Sequence, residues 1–210
     1  MKSIEAAVFR HQPRSYLTAA ALGLAAGLLV ALFSRFPHDD LWSIALFSSQ
    51  CLGFWCCACS LTALLSSKMT VAGAHAALFV YWMFYVTGVC KRLVTVRRGY
   101  SPAAYFYAGL WQELAYGLLP AAGCFVLAMI LWHGRRRYLP HVLMRFAPPV
   151  LTAGEAFWLW CTVFLRRQGL FMALVDTACV IAYIAVLKTA QSRQYRKEGA
   201  SCTHAENGQS

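Results

Sequence analysis

Charge is scarce in this chain: Asp, Glu, Lys and Arg make up 13% of its 210 residues, about half the share of an ordinary soluble domain. Acid is scarcer still, with eight Asp and Glu against nineteen Lys and Arg. From Leu41 to Ser67 no charged residue occurs at all, whereas a helix packed on a soluble core keeps polar residues along its outer face. That absence, beside 60% hydrophobic residues, excludes a water-soluble fold and makes the bilayer the natural solvent. Catalytic signatures are missing too. Neither H-E-x-x-H nor G-x-S-x-G occurs, so no enzyme is expected. His75 has no second inward ligand, because His38, His133 and His141 fall at helix ends, and neither metal nor cofactor is expected.

The positive charge that is present, +11 formally, sits in short clusters between apolar stretches. This is juxtamembrane anchoring and not the basic face of a nucleic-acid-binding domain, so no nucleic acid is expected as a partner. Eight of the nine cysteines lie inside apolar runs, where cysteine acts as a small hydrophobe. The N-terminal segment, with Lys2, Arg10 and Arg14 ahead of an apolar run, superficially resembles a signal peptide. However, Tyr16 to Phe33 is long enough to span and Arg35 follows it, so it is read as a first helix.

A bilayer core needs about 20 apolar residues in a helix. Six stretches qualify, at 15–34, 41–67, 70–90, 113–132, 146–165 and 168–187, which predicts an all-α bundle of about six transmembrane helices over 15–188. Residues 1–14 are a cytoplasmic segment and 189–210 a polar, disordered cytoplasmic tail. The apolar stretch from Tyr100 to Trp132 exceeds one span, so it is divided into an interfacial piece bearing Tyr100, Tyr105, Tyr107 and Trp111 and a span beginning near Glu113. Lys and Arg number three before the first span, then one, one, four, four and two in the loops, then four in the tail. Placing both termini in the cytoplasm puts twelve inside against seven outside, the orientation expected for a multipass protein of the plasma (inner) membrane. Two halves of three spans align loosely, Phe54-Trp55 with Phe157-Trp158, which points to a 3+3 inverted repeat.

Ala19, Gly23, Gly27 and Ala31 fall every four residues and mark a face for close helix packing, within the bundle or in a homo-oligomer. Gly117, Pro120 and Gly123 weaken the fourth helix, and Pro148 and Pro149 sit near the entrance of the fifth. These are candidate helix breaks of the kind that form transporter sites. Glu113 opens its span, where the helix dipole accommodates it. Glu155 and Asp176 lie about nine residues into antiparallel neighbours, where a charge costs at least about 2.5–3.5 kcal/mol. Two carboxyls sharing a site resist ionising together, which suits proton coupling or cation binding. His75 joins them as a candidate proton carrier. The alternative is that all three hold helices together through hydrogen bonds. Cys56 and Cys59 have C-x-x-C spacing, but Phe54, Trp55 and Leu61 offer no electropositive setting for thiol chemistry.

The Gly-rich first helix ending at Arg35, Trp55, Gly73 with the aromatic run Tyr81 to Tyr85, and Gly117-x-x-Pro120 with Gly123 together resemble an uncharacterised family of small bacterial multipass integral membrane proteins. The resemblance covers about the first three quarters of the chain and implies no activity or site residues. Two functions are expected from the residues: a small permease or membrane subunit of a transport system for a small solute or ion, with Glu155, Asp176 and His75 lining the path, or a non-transporting scaffold acting on a protein partner through helix contacts.

Overall fold

A computed structural model describes residues 10–36, 40–46, 52–99, 102–133 and 139–206. Among them the chain is all-α, with six helices: α1 Pro13–Phe33, α2 Leu52–Leu65, α3 Met69–Arg97, α4 Ala103–Trp132, α5 Leu139–Arg166 and α6 Leu170–Glu206. A short 3-10 turn, Ile44–Leu46, precedes α2. Helix ends follow local chemistry. Pro13 opens α1, where its missing N–H costs nothing. Gly99, at φ 74°, supplies the left-handed residue that stops α3, and Arg97 and Arg166 place positive charge in the last turns of α3 and α5.

Four helical segments are long and apolar enough to cross a membrane: Pro13–Phe33, Met69–Arg97, Ala103–Trp132 and Leu170–Thr189. Large apolar side chains also face outward, Leu119 at 82% and Leu165 at 84% exposed, far beyond what a soluble surface of this size tolerates. The chain is a helical membrane protein. α2 misses the four by length and α5 by composition, since Pro148, Pro149 and Glu155 dilute its apolar stretch.

Neighbouring contacts give the topology. α1 and α3 run parallel, with Ser15 beside His75, Gly23 beside Phe79 and Gly27 beside Met83. α4 returns antiparallel along α3, with Glu113 against Gly88, Tyr81 against Gly117 and Phe125 against Gly73. α5 and α6 form a second antiparallel hairpin, tied by Trp160 to Thr177 and Tyr183 to Arg145. α2 lies between the hairpins. It meets α3 and α4 through Cys59, Ala63, Ala72, Ala76 and Ala128, and α6 through Cys57, Leu64, Tyr183 and Leu187.

The structure departs from the sequence reading in several places. The stretch from Tyr100 to Trp132 is not an interfacial piece plus a span, because α4 runs unbroken from Ala103 for 30 residues. At 1.5 Å per residue that is about 45 Å, and the excess is held by the equally extended α3. Of the expected span at 41–67, the described residues form a short 3-10 turn at Ile44–Leu46 and an α-helix over Leu52–Leu65. Ahead of it the chain bends at Ser43, φ 45°, so that the Leu41 and Trp42 carbonyls accept bonds from the Leu170 and Phe171 N–H groups, at 3.1 and 3.3 Å. These are first-turn donors of α6 that no intrahelical carbonyl can satisfy. Gly117, Pro120 and Gly123 break nothing, since α4 continues through them. Pro148 and Pro149 lie inside α5, not at its entrance, because the helix starts at Leu139. The expected disordered tail is helical to Glu206, in keeping with its Ala, Gln, Lys and Arg content, while residues 207–210 and Cys51 lie outside the described residues.

Candidate functional site

Among the described residues the most deeply buried acid is Asp176 of α6, at 0% exposure. Its setting is built by a glycine. A β-carbon placed on Gly53 of α2 would lie 2.8 Å from the Asp176 Oδ1 and 2.8 Å from the Thr152 Cγ2 of α5. Three helices therefore converge at one point because α2 carries no side chain there. Thr152 Oγ1 donates to the Pro148 carbonyl at 2.9 Å and lies 3.4 Å from the Gly53 carbonyl. One turn along α6, the Cys57 thiol donates to the Cys179 carbonyl at 3.5 Å. A turn further, the Tyr183 hydroxyl donates to the Arg145 carbonyl at 3.0 Å. A crevice runs past Pro148, Thr152, Cys57, Cys179 and Tyr183 and is too narrow for a water molecule.

Glu155 shares this neighbourhood. It stands three residues beyond Thr152 on α5, hence on adjoining turns and about 4.5 Å away in height, and Cys56 of α2 lies within electrostatic range of both carboxyls. Glu155 is half-buried where Asp176 is sealed.

His75 does not join them. It is fully buried on the seam between α1 and α3. Its Nδ1–H donates to the Val71 carbonyl at 2.7 Å, Nε2 accepts from the Ser15 hydroxyl at 2.7 Å, and Tyr16 stacks on the ring at 4.3 Å. With both nitrogens engaged across two helices, His75 fastens α1 to α3, which corrects its expected place on a shared polar path with Glu155 and Asp176.

Glu113 is likewise not at a helix start. It lies mid-α4 and accepts from Arg92 Nε of α3 at 2.8 Å, both side chains being about one-fifth exposed. Gly88 and Gly109 make room: a β-carbon on the first would collide with the Glu113 carboxylate, and on the second with the Arg92 guanidinium. Glu113→Gln keeps the shape and loses the ionic attraction. It is expected to lower stability by about 0.2–1 kcal/mol, read as a shift in the unfolding midpoint of the detergent-solubilised protein.

Ala19, Gly23, Gly27 and Ala31 are all buried within the chain, Gly23 and Gly27 against the α3 backbone. The face that could have served an oligomer is therefore occupied by α3. Cys56 and Cys59 share the face of α2 that meets Cys124 of α4, to which Cys59 hydrogen-bonds, while Cys57 faces Cys179 of α6. Cys56, Cys57, Cys59, Cys90, Cys124, Cys161 and Cys179 are free thiols, and no cluster of His, Cys, Asp and Glu among the described residues has the arrangement of a metal site.

Sequence reasoning missed Gly53, Thr152 and Tyr183. Gly53 carried a signal, as a lone glycine within an apolar helical stretch, but nothing local says what approaches it. Comparison of the chain with protein families, with curated proteins and with solved structures finds no match.

Proposed function

We propose that the chain is a small permease, or the membrane subunit of a transport system, in which Asp176 binds the transported or coupling cation. The observation that carries this reading is the complete burial of Asp176 where three helices meet. A carboxylate inside a membrane span is costly, and residues of this kind recur on ion pathways and proton relays. The sealed packing around Asp176, with a neighbouring crevice that has no room for water, fits a proton better than an organic solute. Glu155 supplies a second carboxyl one turn away. Pro148 and Pro149, by removing two backbone donors from α5, make this helix the one whose bending opens the crevice.

The proposal takes all six helices as spans, in a plasma membrane with both termini cytoplasmic, on the strength of the twelve-to-seven distribution of Lys and Arg. It does without an inverted repeat. Such symmetry would lay α4 along α6 as α1 lies along α3, and among the described residues the α1 and α3 pairing has no equally extensive counterpart. A scaffold role is the second reading, favoured by the sealed packing around Asp176.

The two separate on Asp176→Asn, which keeps shape and hydrogen-bonding capacity but removes the ionisable group. In proteoliposomes with an entrapped pH-sensitive dye and Na⁺ or K⁺ outside, the wild type is expected to dissipate an imposed pH gradient at least tenfold faster than the variant, both proteins remaining monodisperse. Equal fluxes would remove Asp176 from the mechanism. Flux no greater than that of protein-free vesicles, together with co-purification of a stable partner, would establish the scaffold instead.

A further inference from the structure

We propose that a cavity between the C-terminal ends of α1 and α3 binds the headgroup of an anionic phospholipid. The parallel course of these helices, with Gly27 beside Met83, brings their last turns to the same end of the bundle. There Arg35, Arg97 and Arg98 stand around an open cavity of about 440 Å³ whose remaining wall is Cys90, Leu93 and Val94. That volume lies within the range of about 300–1,000 Å³ typical of sites for small ligands.

The chemistry of the wall selects the ligand. The three arginines are exposed, and among the described residues no carboxylate pairs with them, the ion pair there being Arg92 with Glu113. Two helix C-termini together contribute about one negative charge, which three guanidiniums outweigh. The site therefore favours an anion, and guanidinium groups match phosphate oxygens in bidentate fashion. Height in the membrane selects further. Arg35 lies two residues past Phe33, the end of a membrane-crossing helix, which is the level of the headgroups. Leu93, 51% exposed, extends the wall with apolar surface that a free phosphate would leave unused and a lipid's glycerol and first acyl carbons would cover. Guanidinium clusters at headgroup level between transmembrane helices hold anionic headgroups through such pairs; with both termini cytoplasmic, this cavity opens to the opposite, outer leaflet.

The test is native mass spectrometry of the full chain in detergent, titrated with phosphatidylglycerol or with phosphatidylcholine of the same acyl chains. The wild type is expected to bind phosphatidylglycerol at least tenfold more tightly. The triple variant Arg35→Gln, Arg97→Gln, Arg98→Gln should bring the two lipids within twofold of each other while keeping its helical circular dichroism. Arg166→Gln with Arg167→Gln, which removes two charges from the α5 end that leads into α6, should leave the preference intact. Where the triple variant does not fold, Arg35→Gln alone, outside both helices, is expected to lower the preference about threefold. A preference that survives loss of the cavity arginines overturns the proposal, as does equal loss in the Arg166 and Arg167 variant, which would mean general electrostatic attraction. Displacement of phosphatidylglycerol by equimolar inorganic phosphate would reassign the cavity to free anions.

Discussion

Alanine at both Gly23 and Gly27 is expected to cost about 3 kcal/mol or more, whereas alanine at Gly123 should leave stability unchanged or raise it by about 0.5–1 kcal/mol. The added atom is the same methyl group, and only its surroundings differ. At Gly23 it would collide with the backbone carbonyl of Phe79, and at Gly27 it would lie 2.6 Å from the carbonyl oxygen of Met83. Neither obstacle is a flexible side-chain end, so α1 and α3 must separate. Separation then loosens the other ties on the same seam: the Thr87 hydroxyl bond to the Gly27 carbonyl at 3.1 Å and the Ser15 bond to His75. At Gly123 nothing lies within 4 Å, and alanine merely improves helix propensity. Unfolding midpoints of the three purified proteins in one detergent decide the matter. If the double variant is as stable as Gly123→Ala, the close approach of α1 and α3 is not a source of stability.

These contrasts explain how far the sequence could be read. The count and rough position of the helices were legible because an apolar run of about 20 residues is a local property. The small-residue face of α1 was legible for the same reason, since a four-residue spacing declares a close approach without naming the partner. Glu113 was misread because the apolar stretch from Tyr100 to Trp132 exceeds the length of one span and was divided at it. What keeps it inside a helix is Arg92, 21 residues earlier and on another helix. Leu41 and Trp42 looked like the start of a span because they are apolar. Their role, accepting hydrogen bonds from the first turn of α6, belongs to backbone atoms that no side-chain pattern records. Glu155 and Asp176 stood out as intramembrane acids with His75 as a further candidate beside them, and only the packing separates a residue fastening two helices from one at a three-helix junction.

The tie between Tyr183 and Arg145 is another that no local pattern announces. Pro149 has no N–H, so the carbonyl four residues earlier, that of Arg145, loses its helical donor. The Tyr183 hydroxyl, on a residue 2% exposed, donates to that carbonyl at 3.0 Å. Arg145 is only 8% exposed, so an unpaired backbone acceptor there has little water to turn to. Tyr183→Phe should therefore destabilise the protein by about 1–3 kcal/mol, although it removes a single oxygen atom. Pro149→Ala should by itself be close to neutral, because it restores a donor to a carbonyl already satisfied. Combined with Tyr183→Phe it should recover most of the loss, because the backbone N–H gained with the alanine takes over the orphaned acceptor. Losses that simply add would show that Tyr183 contributes by packing against Cys57 and Leu64 and not by replacing a donor. Rescue would identify the proline pair in α5 and the tyrosine in α6 as one device, in which the flexibility that proline introduces beside Asp176 is held in check by a single hydroxyl.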